Sequence, residues 1–138
     1  MASLQVPTEG TVTFKAYADL STYQYCFVKL SSSMTVTYAD ANGDLGVGIL
    51  VNKPTAAGYD ADVFTLVGGI CPVRAGAAFS YGQLLTADAD GEAIAASDND
   101  TVMAIALESA GAADDIVECM IISPRTCSNV SYYYDSTA

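Results

Sequence analysis

The 138-residue chain contains no histidine and no tryptophan, and only five cations, Lys15, Lys29, Lys53, Arg74 and Arg125, stand against sixteen acidic residues. Without histidine there is no Ser-His-Asp or Cys-His dyad, no imidazole metal ligand and no imidazole pH switch. Five scattered cations do not neutralise a row of phosphates, which excludes nucleic acid as a partner, and the formal charge is −11. No apolar run reaches the length of about 18 residues that a membrane span needs. Residues 1–10 carry neither a basic n-region nor an apolar h-region, so a soluble protein made in a cytoplasm is expected. The four cysteines, Cys26, Cys71, Cys119 and Cys127, form no CxxC pair, which argues against a zinc ribbon or a thioredoxin-type site.

What the chain does have points to strands. Apolar residues make up 51%, enough for a proper core in one domain of this length. Twelve of the acidic residues are Asp and four are Glu, and Asp favours turns where Glu tolerates helix interiors. Eleven Gly, nine Tyr and many Val, Thr and Ile complete a composition of short strands joined by turns.

Period-two alternation marks Thr11 to Ala16 as the first strand, with Val12, Phe14 and Ala16 on one face. Further strands are expected at Tyr23 to Leu30, Met34 to Tyr38, Leu45 to Val51, Ala61 to Val67, Gln83 to Ala87, Glu92 to Ala95, Val102 to Glu108 and Ile116 to Ile122. The tract Asp40-Ala-Asn-Gly-Asp44 is a turn signal, because Asn-Gly supplies the positive φ angles of tight turns. Helix has credit only at Arg74 to Phe79 and Ser109 to Ala113, both short and interrupted by glycine. The organisation expected is an N-terminal arm over residues 1–10, one β domain over 11–122 and a C-terminal tail over 123–138. The fold class is all-β, a small barrel or sandwich of short antiparallel strands with extended N- and C-terminal arms.

A shift of 56 residues lays Leu45 to Leu66 without gaps on Thr101 to Ile122, placing Ile49 on Ile105, Ala56 on Ala112 and Asp62 on Glu118. A shift of 59 matches Lys15, Ala16, Ala18 and Ser21 with Arg74, Ala75, Ala77 and Ser80. Identities are few, and the pattern suits either chance in a β-rich sequence or an internal repeat over about 15–67 and 74–122. A true repeat would pack as two similar β units about a pseudo-two-fold axis.

Candidate chemistry is thin. Asp88-Ala-Asp-Gly-Glu92 looks like the opening of a calcium loop, but position twelve is Asn99 and the flanks are strands, so it reads as a turn before a weak cation site. Asp114-Asp115 and Asp60/Asp62 lie at loop and strand ends, the setting of solvated turn carboxylates and not of an acid–base pair facing across a cleft. No Gly-x-Ser-x-Gly elbow or phosphate loop appears. No catalytic residue, cofactor or metal site is assigned, and no enzyme is expected. Cys26 and Cys119, inside apolar strands, read as buried thiols, while Cys71 and Cys127 leave a disulfide open beside the reduced state. Leu4, Val6 and Pro7 in the arm, and Tyr132, Tyr133 and Tyr134 in the tail, are the candidate contact residues. Three consecutive tyrosines do not share one face of a strand, so they dock either on a partner or on their own domain.

The ordered set Tyr23-Gln-Tyr-Cys-Phe-Val-Lys-Leu30, Gly46-Val-Gly-Ile-Leu-Val-Asn-Lys-Pro54 with Ala57-Gly58, Val67-Gly-Gly69, Val73-Arg-Ala-Gly-Ala-Ala78, Gly82 to Thr86 with Asp88 to Gly91, Ala104-Ile-Ala-Leu-Glu-Ser-Ala110 and Asp115-Ile-Val-Glu118 resembles the capsid decoration, or cement, proteins of tailed phages. The resemblance spans residues 23 to 122. It implies a protein of the virion that binds the outer surface of the expanded head through the major capsid protein. It also implies a homo-oligomer, a trimer at local three-fold positions, that clamps neighbouring capsid subunits without chemistry. Acidity suits an outer face held away from packaged DNA. A second reading, from another class, is a receptor- or glycan-binding module of a virion fibre or spike.

Overall fold

The computed structural model describes residues 10–126. Every regular element among them is a strand: β1 (Thr11–Ala16), β2 (Phe27–Ser32), β3 (Thr35–Tyr38), β4 (Gly48–Leu50), β5 (Asp60–Phe64), β6 (Ile70–Arg74), β7 (Leu84–Ala87), β8 (Ala93–Ala95), β9 (Thr101–Ala106) and β10 (Ile116–Thr126). The all-β class expected from composition is therefore the class found. β1 to β5 close into a barrel in the order β1-β3-β2-β4-β5, and β6 to β10 form a sheet in the order β6-β10-β9-β7-β8. A parallel bridge from Ala75, just after β6, to Ala93 in β8 draws the outer strands of that sheet together.

Several expectations shift. β1 lies where alternation puts it, but the expected strand from Tyr23 begins only at Phe27, because Tyr25 adopts φ 69° in the preceding turn. The strand expected over Leu45 to Val51 shrinks to the three residues of β4. β6 was not among the expected strands; it carries Pro72, which as part of an edge strand needs no ladder bond from that position. The stretches with helical credit, Arg74 to Phe79 and Ser109 to Ala113, contain no helix. Not every pairing is antiparallel, because β1 and β3 run parallel. Gly43 in the Asn-Gly tract does not take the positive φ that a tight hairpin would demand.

The two halves pair strand for strand in the same register. Lys15 opposite Asp60 and Thr11 opposite Phe64 in the first half correspond to Arg74 opposite Ile116 and Ile70 opposite Met120 in the second. Ile49 opposite Phe64 corresponds to Ile105 opposite Met120, and Phe27 opposite Ile49 to Leu84 opposite Ile105. Even the parallel contact recurs, Ala16 with Val36 and Ala75 with Ala93. Turns follow suit: Leu20 N–H donates to the Pro54 carbonyl at 2.9 Å and Phe79 N–H to that of Ala110 at 3.1 Å.

Alternation sorts each strand's side chains between two cores. Ala16, Val28, Val36, Leu50, Ala61 and Val63 fill the N-terminal barrel with Leu20. Phe27, Ile49 and Phe64 point the other way and join a larger core with Cys71, Met103, Cys119 and Ile121 of the second half. The outer face of the first unit thus lies against one end of the second. Gly91, in the β7–β8 turn, sits against the carbonyls of Phe27 and Ala39, and its own carbonyl accepts from Phe27 N–H at 2.8 Å. The Asp40–Asp44 loop reaches across as well, with the Asn42 carbonyl accepting from Thr101 N–H at 2.8 Å and from Thr86 Oγ1 at 3.1 Å. The arrangement is not the expected pseudo-two-fold, in which equivalent faces would meet: the units stack front to back, one outer face on one barrel end.

Candidate docking surface

The contact residues expected from sequence, Leu4, Val6, Pro7, Tyr132, Tyr133 and Tyr134, lie outside the described residues. Within 10–126 the surface offers large apolar and aromatic side chains held on rigid strands and their turns. Tyr81 is the most open at 73% exposure, and Tyr17, Tyr59, Met34, Leu45, Leu66, Val67 and Ile70 are all more than half exposed. Tyr23 and Tyr38 stack with ring centroids 4.3 Å apart and planes parallel within 1°. They border a groove of about 480 Å³ that Tyr17, Asp19, Lys29 and Asp40 also line. Burial pushes the Tyr23 hydroxyl pKa up, and the neighbouring Tyr38 adds to it.

Two of the five cations are consumed locally. Lys15 meets Asp60 at 2.8 Å, and Lys29 bridges Asp40 at 2.8 Å and Asp44 at 3.0 Å, pinning the loop that crosses between the units. The hydrogen bonds Lys29 donates to Asp40 and Asp44 raise its pKa, so its charge is secure. No cationic patch emerges among the described residues, and the surface is acidic.

The carboxylates singled out in the sequence serve turns and, on β5, cross-strand contacts. Asp115 accepts from the N–H groups of Gly111 at 2.9 Å and Ala112 at 3.2 Å, and Asp62 accepts from the Thr13 hydroxyl. Asp88 accepts from the N–H groups of Asp90 at 2.9 Å and Glu92 at 3.0 Å, the geometry of an Asx turn. Carboxylate oxygens of Asp88, Asp90 and Glu92 converge within 4.8 Å. Glu92 carries a pKa pushed up to about 7, first by burial, then by a hydrogen bond with Asp114 and by the charges of Asp88 and Asp114. It therefore holds a proton well into the range where other carboxylates are charged.

Cys26, Cys71 and Cys119 are buried free thiols, so Cys71 is not tied to Cys127, which itself lies outside the described residues. Burial lifts Cys26 and Cys71 to about 12 and Cys119 well above its ordinary value. Such groups fill space and neither attack nor bind metal.

Sequence reasoning missed one feature, a row of apolar side chains running across four strands from exposed Ile70 to buried Leu84. Ile70, Met120, Ile105 and Leu84 stand directly opposite one another on β6, β10, β9 and β7. Its signal was present in the 56-residue alignment, which set Ile49 on Ile105, but only the pairing registers join the four positions into one face.

A family model described as phage cement protein matches residues 6–121. Among solved structures, the head fiber gp8.5 N base in bacteriophage phi29 has a similar fold, with a TM-score of 0.64 and 23% identity over 80% of this chain and 92% of that one. No curated protein matches the chain.

Proposed function

Because the chain belongs to the phage cement protein family and so has a structural role in the phage head, we propose that it binds the outer surface of the assembled head and bridges neighbouring capsid subunits. The observation that carries this reading is the family match across both β units. Two features of the molecule support it. The units share one core, which makes a stiff body able to hold two capsid subunits at a fixed separation. The surface is acidic with Lys15 and Lys29 paired locally, which suits an outer face and not contact with packaged DNA. Binding to the assembled shell but not to free subunits stabilises the shell by mass action. The partner is the major capsid protein, the protein acts as a trimer, and no catalytic step is involved. Residues 1–9 and 127–138 reach neighbouring subunits through Leu4, Val6, Pro7 and Tyr132 to Tyr134.

Expanded heads titrated with the purified protein should show saturable occupancy and withstand a higher temperature before releasing DNA. Occupancy without any gain in head stability would remove the bridging role. Deleting residues 1–9 or 127–138 should lower occupancy, and unchanged binding of both truncations would remove the arms from the interface.

The stacked Tyr23–Tyr38 pair, in a groove that Asp19 and Asp40 also line, favours a second reading, a glycan-binding module, since sugars stack on aromatic faces beside carboxylates. A glycan screen in which Tyr38→Ala abolishes a signal, with head binding intact, would support that role instead.

A further inference from the structure

The groove beside the stacked tyrosines is built of acceptors. Its walls carry the carboxylates of Asp19 and Asp40 and the hydroxyls of Ser31 and Thr37. Three rings complete it, Tyr17 at 62% exposure and the Tyr23–Tyr38 stack. Lys29 is the one cation in the lining, and its ammonium is already held by Asp40 at 2.8 Å and Asp44 at 3.0 Å. Asp19 has no such match. Ser21 donates twice to its Oδ1, from the N–H at 2.9 Å and from the hydroxyl at 2.7 Å, and among the described residues its Oδ2 accepts no hydrogen bond and meets no cation. The Ser21 bonds hold the Asp19 pKa below the ordinary carboxylate value, so its charge persists. A further carboxylate stands near the rim, since the Tyr23 pKa is raised first by burial, then by Tyr38, and further by the charge of Asp90.

A groove of this make suits a ligand with many donors, a positive charge and a flat face. Carboxylates only accept, and the faces of tyrosine rings attract cations. A guanidinium meets both demands, because its planar fork pairs with a carboxylate while its face lies on a phenol ring. A neutral sugar would make the stacking contact and leave the charge unanswered. We propose that the groove receives an arginine side chain from a basic segment of the major capsid protein, its guanidinium paired with Asp19 and stacked on Tyr17. The volume of about 480 Å³ is ample for one such side chain. A second copy of this chain is a poor source of the cation, with sixteen acidic residues against five basic ones and with Lys15 and Lys29 already paired. The ligand class rests on the groove alone; the capsid as its donor rests on the head-binding reading.

The full chain titrated with acetyl-Gly-Arg-Gly-Arg-Gly-amide and followed by NMR should show saturable shifts centred on Tyr17, Asp19 and Tyr38, weakening as salt rises. The same peptide with citrulline, the uncharged isostere of arginine, should bind about tenfold more weakly. Asp19→Asn, which keeps an acceptor for Ser21, and Tyr17→Ala, at an exposed ring, should each weaken arginine-peptide binding about tenfold with an unchanged melting temperature. Tyr81→Ala, in the C-terminal unit, should bind as the unaltered chain does. Expanded heads should take up the Asp19 and Tyr17 variants about tenfold more weakly than the unaltered chain. Equal binding of the arginine and citrulline peptides, or shifts centred outside the groove, would overturn the proposal. Saturation of the groove by a neutral oligosaccharide with no binding of the arginine peptide would overturn it in favour of a sugar site. Groove variants that occupy heads as well as the unaltered chain would overturn it and leave the head-binding reading intact. An unaltered chain that binds no heads would instead defeat that reading and the capsid as donor, while the peptide titration still decides the ligand class.

Discussion

Glu92 is held beside Asp114 and Asp88 at the turn that abuts the N-terminal unit, and its pKa is raised from 4.5 to about 7 chiefly by burial. A native state whose carboxyl is harder to ionise binds more protons than the unfolded chain between pH 4.5 and 7. This group's contribution to stability is therefore largest below about pH 4.5, declines as pH rises through that window, and is lowest above 7. Glu92→Gln should raise the melting temperature at pH 8 by a few degrees, change it little at pH 4, and flatten the profile between, as read by thermal unfolding across pH. The three buried thiols make a second prediction at this scale. With Cys26 and Cys71 lifted to about 12, a thiol reagent at pH 8 should leave Cys26, Cys71 and Cys119 unmodified in the folded protein and label them all in denaturant. At Gly91, positive φ and a Phe27 carbonyl 2.8 Å from where a methyl would sit make alanine doubly unfavourable. Gly91→Ala should lose roughly 1–3 kcal/mol in urea unfolding.

Equivalent strands carry unequal loads. Ile49 on β4 and Ile105 on β9 occupy the same place in the two registers, yet Ile49 is fully buried and Ile105 only half. Ile49→Ala should cost about 2–5 kcal/mol, the range for opening a cavity in a closed core, and Ile105→Ala clearly less at concentrations where the chain is monomeric. Urea midpoints of the two variants check this. A strand formed in each of the nine expected segments, and β1 shows why they were legible, through alternation of Val12, Phe14 and Ala16 against Thr11, Thr13 and Lys15. At Leu45–Val51 the apolar run predicts more strand than pairing supports, because Gly46 is drawn aside against the Met103 sulfur. β6 escaped for the opposite reason: Pro72 reads as a breaker, and only its edge position makes it harmless. The Asp40–Asp44 loop was legible as a turn but not as a strap between units, because its acceptors Asn42 and Gly43 are backbone carbonyls, which any sequence supplies.

The molecule as a whole should unfold as one. Phe27, Ile49 and Phe64 share a core with Met103 and Ile121, so neither unit is complete without the other. A fragment of residues 10–67 should fail to fold, exposing that row to water, and the full chain should melt in a single transition with equal calorimetric and van't Hoff enthalpies. Of the candidate site, sequence singled out the two arms, while the stacked tyrosines, the groove they border and the cross-strand row depend on residues far apart in the chain. The sequence by itself determined the strand class, the acidity and the absence of imidazole chemistry, because composition and period-two alternation act locally on each segment. Only the tertiary structure decided which of two equivalent faces is buried. That choice rests on how one unit seats on the end of the other, a contact between distant segments that no local pattern encodes.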